Sequence, residues 1–209
     1  NQVDVIGNFI DPDVYDRAAH PPKLREQLGH GRKILMHISN FRPVKRVLDV
    51  VRVFDRVRQQ VPSVLVMVGD GPDRQAAEEE ARALGIDHGE IHFLGKIDAV
   101  APLLASADLF LMPTDRESFG LSALEALACG VPSLAYDVGG IVEVIQHGVT
   151  GALCPVGDVD AMSAAAVAIL SDDARWHAMS AAAAADSRAR YGKDQVVAQY
   201  EQLYLQQRG

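Results

Sequence analysis

Cysteine is scarce in this chain of 209 residues, where it occurs twice, as Cys129 and Cys154. Both lie in apolar segments and lack the spacing of a metal site or a redox pair, which argues against a disulfide framework. They are typical of reduced core residues in a cytoplasmic protein, which is the location we expect. No apolar run approaches the roughly 20 residues that a membrane-spanning helix needs, and we see no signal-like pattern at the start.

Several familiar catalytic and nucleotide-binding motifs are missing as well. No GxGxxG opens the first helix, which disfavours an NAD-binding domain, and the GDGP of residues 69–72 is not a Walker sequence. No GxSxG elbow or cysteine nucleophile motif is present. A formal charge of −8 argues against a surface for nucleic acid or an anionic membrane, although a local basic cluster still suits one phosphate ligand.

Short apolar runs alternate with helical patterns from residue 33 onward. The runs predict strands over 33–38, 63–68, 91–94, 108–112, 133–136 and 151–154. Helices are predicted over 45–59, 98–106, 118–129 and near 141–146, with another opened by the turn at 69–72. Continuously apolar strands that are each followed by a helix indicate an α/β fold, a parallel sheet with helices on both faces. In such sheets ligands bind at the carboxyl ends of the strands.

The whole chain, 1–209, is predicted to form one domain. Its abrupt start, NQVDVIGNFIDPDVY, suggests a segment that enters from something upstream, so we interpret 1–20 as an interdomain linker in a fragment of a larger protein. From residue 160 onward the pattern is helical, and the helix predicted at 193–207 carries an apolar stripe. The stripe consists of Val196, Val197, Tyr200, Leu203 and Tyr204. We expect it to pack toward a domain that is absent here.

Glu117 and Glu125 are the strongest candidates for chemistry. Glu125 lies one turn from Leu121 and Cys129 in the nearly apolar helix predicted at 118–129, on the face that we expect to be buried. A buried carboxylate without a partner costs on the order of several kcal/mol, and a ligand with two adjacent hydroxyls would suit it. Glu117 precedes this helix, in the loop where ligands bind. The alternative is an N-cap region plus a glutamate that pairs with an internal basic residue.

The backbone N–H groups of Ser118, Phe119 and Gly120 are a candidate phosphate cradle, because they are predicted to open this helix. Helix amino termini leave N–H groups without an intrahelical partner and favour anions. We expect no metal site here, since the acidic residues of the expected cleft are Glu117 and Glu125, which a turn of loop and helix separates.

The loop after the first strand, Ser39–Arg46, is strongly basic. Three cations in five residues suit a diphosphate, since arginine offers forked contacts and lysine a point charge. A solvated basic turn is the alternative. The pair Gly139–Gly140 would permit a ligand to approach the backbone closely, an ambiguous signal that Gly69, Gly71 and Gly95 share.

Together these loops resemble those of the retaining glycosyltransferases of group 1 (family 4), whose GT-B fold has two facing Rossmann-like domains. The resemblance runs in order through VIGNFID, the basic loop, VMVGDGP, IHFLG, ESFGLSALEALACGVPSLAYDVGGIVEVI and HGVTGALCPVGDVDAM, and it covers most of the chain. The E-x7-E spacing of Glu117 and Glu125 is its most specific element. The resemblance implies that the chain is the carboxyl-terminal, donor-binding domain of such an enzyme.

The resemblance also implies roles for particular residues. Glu125 would hold the ribose hydroxyls of the nucleotide, Glu117 would contact the donor sugar, and the backbone around Lys96 would contact the base. Members of the family retain the anomeric configuration without a metal or another cofactor. They are thought to use a front-face mechanism in which the departing phosphate helps to deprotonate the acceptor, so no protein nucleophile is needed.

The diphosphate is the remaining part of the donor. By the same resemblance, the amides of Phe119, Gly120 and Leu121 would bind it. Arg42 and Lys45 would neutralise it and stabilise it as the leaving group, where negative charge develops in the transition state.

The stretch ISNFRPVKRVLDVV further resembles a subgroup of the family that acts in bacillithiol synthesis, whose loop has SNFR-x-VKR. This implies UDP-N-acetylglucosamine as the donor and a small hydroxy acid, L-malate, as the acceptor. The usual family loop has Gly-Arg where this chain has Ser39–Asn40, so the phosphate contacts are expected to differ. The amino-terminal domain, which supplies most acceptor contacts in the family, is absent.

The residues leave other functions open. One is a group 1 glycosyltransferase with a different donor or acceptor, and a sugar-nucleotide epimerase of the same architecture is less favoured. From a different class, the chain suits a nucleotide-binding module or a non-catalytic partner subunit, although the intact Arg42, Lys45, Glu117 and Glu125 disfavour the latter. We expect the chain to bind UDP weakly and to lack transferase activity by itself. Its oligomeric state, including a homo-oligomer, is open.

Overall fold

The computed structural model describes residues 7–20 and 23–206, so 1–6 of the expected linker and 207 of the expected last helix lie outside the described residues. The strands are β1 Lys33–Ile38, β2 Ser63–Val68, β3 Ile91–Gly95, β4 Leu109–Met112, β5 Ser133–Tyr136 and β6 Gly151–Cys154. The helices are α1 Lys23–Gly29, α2 Val47–Arg58, α3 Arg74–Ala83, α4 Ala101–Ser106, α5 Leu121–Ala128, α6 Ile141–Val144, α7 Val159–Leu170, α8 Asp173–Tyr191 and α9 Lys193–Gln206.

The strands form one parallel sheet in the order β3-β2-β1-β4-β5-β6. β1 pairs with β2 along its whole length, from Lys33 opposite Ser63 to Ile38 opposite Val68. Its other neighbour is β4, with Leu35 opposite Leu109. The strand order therefore reverses between β1 and β4, and such a reversal opens a crevice at the carboxyl ends of the two strands.

Helices cover both faces of the sheet because both faces are apolar. Leu35 of β1 belongs to the core that α2, α3 and α7 cover, whereas its neighbours Ile34 and Met36 belong to the core beneath α4 and α5. All three side chains are fully buried. Alternate residues thus face opposite cores, which explains why the strands are continuously apolar. The predicted α/β, Rossmann-like class is confirmed.

The predicted strand bounds agree closely with the structure, but three predicted helix starts are wrong. α4 begins at Ala101 rather than residue 98. α2 begins at Val47 rather than residue 45, because Pro43–Lys45 forms a short 3-10 turn that ends at Arg46 in the left-handed conformation, with φ 46°. α5 begins at Leu121 rather than residue 118, since Gly120 has φ 99° and stands outside the helix. All three differences lengthen loops at the carboxyl edge of the sheet.

The carboxyl-terminal segment is helical, as predicted, and is divided into α7, α8 and α9. Asp172 caps α8 by accepting a hydrogen bond from the amide of Arg175 at 3.0 Å. Within α9, Val196 is buried, whereas Tyr200 and Tyr204 are 39% and 65% exposed. The packing of the exposed part of the stripe against a further domain stays a prediction. None of the helices in residues 7–20 and 23–206 has the length and apolar character that crossing a bilayer demands.

The described part of the expected linker, residues 7–20, lies against the junction of α8 and α9. The amide of Ile10 donates to the carbonyl of Tyr191 at 2.9 Å, and the carbonyl of Ile10 accepts from the amide of Lys193 at 2.9 Å. The ammonium group of Lys193 lies 3.0 Å from Asp11. The entering segment is therefore joined to the start of the last helix.

Candidate functional site

The loops that follow β1 and β4 meet at the point where the strand order reverses. The amide of Asp115 donates to the carbonyl of Val44 at 2.9 Å, and the hydroxyl of Thr114 donates to the same carbonyl at 2.9 Å. The basic loop is thereby fixed to the loop that precedes α5. Both loops lie where ligands of open α/β sheets bind.

Lys45 and Glu117 form an ion pair between these two loops. Lys45 Nζ donates to Glu117 Oε2 at 2.8 Å, and the two side chains are 22% and 16% exposed. Burial raises the pKa of Glu117, but the hydrogen bond and charge of Lys45, with the amides of Phe119 and Ser118, outweigh burial, so the pKa lies below its ordinary value. Glu117 is therefore an anion, and the structure brings together two of the residues predicted to act on the donor.

The three cations of the basic loop do not share one role. Arg46 binds Asp49 at 2.7 Å and Asp115 at 3.1 Å, within a network that fixes the start of α2. Its guanidinium group therefore has a structural role, and its contact with a diphosphate stays a prediction. Arg42 is exposed, directly before the short turn Pro43–Lys45. Lys45 faces the loop that carries Glu117, so Arg42 and Lys45 are placed to meet an anion.

A buried histidine shapes the basic loop. His37 Nδ1 lies 2.8 Å from the carbonyl of Leu111, and Nε2 lies 2.8 Å from the hydroxyl of Ser39, which also accepts from the amide of Phe41 at 3.2 Å. Burial lowers the pKa of His37 to about 4, so the ring is neutral at physiological pH. Nδ1 then donates to the carbonyl, and Nε2 accepts from Ser39. This gives the unusual Ser39 a structural role that sequence reasoning missed.

The segment before α5 differs from the predicted helix start. Ser118 is exposed and Phe119 is half-buried, and both precede the helix rather than open it. Their amides lie 3.1 Å and 3.5 Å from Glu117 Oε1. The amides at the true helix start belong to Leu121 and the residues after it, where helix geometry leaves N–H groups without an intrahelical partner. The predicted cradle therefore moves toward Gly120 and Leu121.

The Gly139–Gly140 pair admits protein backbone rather than a ligand. A Cβ added at Gly139 would lie 2.0 Å from the carbonyl oxygen of Glu117, and one at Gly140 would lie 2.0 Å from that of Ser118. The amide of Gly140 also donates to the carbonyl of Glu117 at 2.9 Å. The glycines are thus required because the loop after β5 supports the loop that carries Glu117.

The glycines of the loop after β2 have the same explanation. A Cβ added at Gly69 or Gly71 would collide with the carbonyl oxygen of Ser39 or Asn40, at 1.8 Å and 2.0 Å. Gly69 also donates its amide to the carbonyl of Gly95 at 2.7 Å, which joins this loop to the end of β3. Lys96, the residue predicted to contact the base, follows Gly95 and is exposed at this edge.

Glu125 is half-buried on α5 and has a partner that sequence reasoning missed. The hydroxyl of Tyr15 donates to Glu125 Oε1 at 2.9 Å. Burial raises the pKa of Glu125, and the hydrogen bond from Tyr15 opposes that rise without cancelling it. The partner of the carboxylate is therefore a tyrosine of the expected linker and not an internal cation. The two residues are 110 positions apart, and no sequence pattern indicates a contact over that separation.

Within residues 7–20 and 23–206, no three side chains of histidine, cysteine, aspartate or glutamate group together as metal ligands do. His88 and His92 lie near the edge strand β3, away from β1 and β4. Independence from a metal stays a prediction. The groups at the carboxyl edge of the sheet include Arg42, Lys45, Glu117 and backbone amides, and Glu125 lies on the helix that starts there.

The chain is similar to characterised glycosyltransferases. It is 43% identical over 204 residues to N-acetyl-alpha-D-glucosaminyl L-malate synthase of Bacillus anthracis, an alignment that covers 97% of this chain and 53% of that enzyme. It is 38% identical over 136 residues to 2-deoxystreptamine N-acetyl-D-glucosaminyltransferase of Streptomyces fradiae, which covers 64% of this chain and 32% of that enzyme. The chain thus spans about half the length of the first relative, and less of the second.

A solved structure and a family profile agree with these relatives. HepE of Anabaena, solved in complex with UDP and glucose, superposes with a TM-score of 0.86 at 25% identity, over 97% of this chain and 57% of that one. The fold is thus that of the carboxyl-terminal half of a GT-B protein. The profile of the family described as "Glycosyl transferases group 1" matches residues 22–186. The chain therefore belongs to the group 1 family of glycosyl transferases.

Proposed function

We propose that this chain is the donor-binding half of a retaining glycosyltransferase that uses a UDP-sugar. The observation that carries the proposal is the Lys45–Glu117 ion pair at the reversal of strand order, beside the helix that bears Glu125. This edge combines cations for a diphosphate with carboxylates for hydroxyl groups, which are the chemical parts of a nucleotide sugar.

Each part of the donor has a matching group. Glu125 accepts from the ribose hydroxyls, and Glu117 accepts from a hydroxyl of the sugar. The backbone at Lys96 meets the base, at the end of β3, which lies beyond β2 from the reversal of strand order. These roles follow from the family resemblance. The positions of Glu117 and Lys96 at the carboxyl edge of the sheet, and of Glu125 on the helix that starts there, support them.

The diphosphate is held between the basic loop and the start of α5. The amides of Gly120 and Leu121, with that of Phe119, face the anion from one side. Arg42 and Lys45 neutralise it from the other and stabilise the charge that builds on the leaving phosphate as the glycosidic bond breaks. Lys45 already pairs with Glu117. When the donor binds, the ammonium group of Lys45 therefore either leaves Glu117 for the diphosphate or contacts both.

We further propose that transfer retains the anomeric configuration without a metal or a covalent intermediate. The departing phosphate takes the proton of the attacking hydroxyl on the same face of the sugar, so the protein need only hold donor and acceptor in place. Glu117 is paired with Lys45 and with backbone amides, which suits a hydrogen-bond acceptor better than a free nucleophile.

The donor is proposed to be UDP-N-acetylglucosamine and the acceptor L-malate. The SNFRPVKR loop and the 43% identity to N-acetyl-alpha-D-glucosaminyl L-malate synthase support this pair. The UDP and glucose bound to HepE support the uridine nucleotide. The alternative is another acceptor. The Streptomyces fradiae relative is named as a 2-deoxystreptamine N-acetyl-D-glucosaminyltransferase, so the acceptor in its name is 2-deoxystreptamine rather than a hydroxy acid.

We infer that a second, amino-terminal domain supplies most acceptor contacts and completes the cleft. The relatives are about twice as long as this chain, and Tyr200, Tyr204 and Leu205 of α9 expose apolar side chains that suit such a domain. Unpaired buried cysteines agree with a cytoplasmic enzyme. On this proposal the chain by itself binds donor and does not turn it over.

An acceptor screen tests the proposal. The full-length protein is incubated with UDP-N-acetylglucosamine and either L-malate, 2-deoxystreptamine or D-malate, and glycoside and UDP are quantified together. We expect glycoside formation with L-malate, in equal amounts with UDP. Transfer to 2-deoxystreptamine alone would replace the acceptor, and the absence of UDP release with every acceptor would contradict a UDP-sugar transferase.

A further inference from the structure

Tyr15 reaches the proposed nucleotide site from outside the sheet. It belongs to the entering segment, and its ring packs against the core cluster beneath α4 and α5. Its amide donates to the carbonyl of Asp11 at 3.1 Å, and its hydroxyl donates to Glu125 Oε1 at 2.9 Å. The ring and the backbone therefore fix the hydroxyl beside Glu125.

The residues after Tyr15 hold it in place independently of Glu125. Asp16 caps a short turn at Arg17–Ala19 by accepting from the amide of Ala18. The guanidinium group of Arg17 donates to the carbonyl of Ala107 at 2.6 Å and to that of Cys129, at the end of α5, at 3.2 Å. Tyr15 is thus anchored to the same helix that carries Glu125.

The hydrogen bond from Tyr15 gives the two carboxylate oxygens of Glu125 different surroundings. A carboxylate offers about four lone-pair positions, and Tyr15 occupies one of them on Oε1. In the described part of the chain no hydrogen bond is made to Oε2, and this oxygen keeps some exposure, so a ligand can reach it. A ligand with adjacent hydroxyls completes this arrangement.

We propose that Tyr15 is a positioning residue for the nucleotide, which holds one oxygen of Glu125 so that the other faces the ribose hydroxyls. The inference rests on the proposed ribose role of Glu125. It adds a residue from the entering segment to the donor site, so that ribose recognition depends on a contact between two elements. Loss of the tyrosine hydroxyl frees the carboxylate to rotate away from the ribose.

The test compares UDP with 2′,3′-dideoxy-UDP, which lacks the hydroxyls that Glu125 would accept from. Dissociation constants of both nucleotides are measured for the unsubstituted full-length protein, for Tyr15→Phe and for Tyr136→Phe. Tyr136 also donates to a carboxylate, that of Asp49 at 2.8 Å, so the control removes the same chemical bond elsewhere. We expect Tyr15→Phe to lower the preference for UDP about threefold to tenfold, the range of an ordinary net hydrogen bond, because Tyr15 acts on the ribose only through Glu125. Tyr136→Phe leaves the preference unchanged.

Two different outcomes would contradict the ribose role of Glu125 and the positioning role of Tyr15. Equal affinity of the unsubstituted protein for both nucleotides contradicts the ribose role of Glu125, and the role of Tyr15 falls with it. A normal preference for UDP that Tyr15→Phe leaves unchanged or strengthens overturns the positioning role alone. A second variant guards against a general structural effect. If Tyr15 acts through Glu125, adding Tyr15→Phe to Glu125→Ala changes UDP affinity no further.

Discussion

The ammonium group of Lys45 lies 2.8 Å from a carboxylate oxygen of Glu117, across the point where the strand order of the sheet reverses. Each residue comes from a different loop, and the hydrogen bonds that Asp115 and Thr114 make to Val44 hold the two loops together. The pair places a cation and an anion at the place where a diphosphate and a sugar would meet. Substitution of Lys45 therefore tests the contact with the diphosphate, and substitution of Glu117 tests the contact with the sugar.

Replacing the lysine tests the diphosphate half. We expect Lys45→Met to weaken UDP binding about tenfold to a hundredfold, because a charge-assisted hydrogen bond to the diphosphate is lost. The matched control is Lys33→Met. Lys33 lies at the amino end of β1, away from the proposed site, and its ammonium group pairs with Asp173 at the same distance of 2.8 Å. Titration calorimetry of both variants with UDP checks this. Equal losses in the two variants would rule out a local role for Lys45.

Glu117→Gln tests the sugar half and should split binding from turnover. The substitution keeps the shape but removes the charge that Lys45 now pairs with, so UDP affinity stays the same or rises by about threefold. Transfer from the UDP-sugar should fall about a hundredfold, since the charged acceptor for the sugar hydroxyl is gone. Steady-state kinetics and UDP titration measure the two effects. Parallel losses in affinity and turnover would mean that Glu117 only supports the fold.

The raised pKa of Glu125 predicts that this residue costs stability. A carboxyl whose pKa rises on folding destabilises the folded protein at pH above that raised pKa, and the cost vanishes as pH falls below the ordinary value of 4.5. We therefore expect Glu125→Gln to raise Tm at pH 7 by about 2 °C, with a gain that shrinks toward pH 4. UDP affinity should fall about tenfold at pH 7, because a charged acceptor becomes a neutral amide.

Glu79→Gln, an exposed glutamate on α3, serves as the control for that experiment and should leave Tm and UDP affinity unchanged. Thermal melts at several pH values give the first measurement, and titration with UDP gives the second. A lower Tm for Glu125→Gln at pH 7 would show that the carboxylate stabilises the fold, contrary to the sign derived from its burial.

Gly140→Ala tests whether the loop after β5 supports the loop of Glu117. The added methyl would lie 2.0 Å from the carbonyl oxygen of Ser118, so one of the two loops must move. We expect a loss of about 1–3 kcal/mol in the free energy of unfolding, together with weaker UDP binding. Gly89→Ala adds the same methyl where no atom lies within 4 Å and should change neither. Denaturant unfolding of the two variants makes the comparison, and similar stabilities would refute the supporting role.

The sequence predicts the sheet well because burial on both faces imposes a simple pattern. Leu35 faces one core and Met36 the other, so every residue of such a strand is apolar and the strand is visible without knowledge of its neighbours. The position of Glu117 after a strand, and hence at the ligand edge, follows from the same rule.

The loops could not be predicted to the same degree, because their shapes depend on contacts between distant residues. Gly120 stops α5 from extending back to Ser118, and its positive φ carries no signal in a run that otherwise suits a helix. The sequence suggests close approach of a ligand at Gly140, whereas the group that approaches it is the backbone of Ser118. Tyr15 meets Glu125 only because the entering segment folds back onto α5, which no periodicity records.

Titration calorimetry of this chain with UDP, and separately with NAD, tests the central claim most directly. Donor binding by Lys45, Glu125 and the amides at the start of α5 predicts saturable heat with UDP at one site per chain and none with NAD. Heat with NAD and none with UDP would contradict the assignment of this sheet edge to a UDP-sugar.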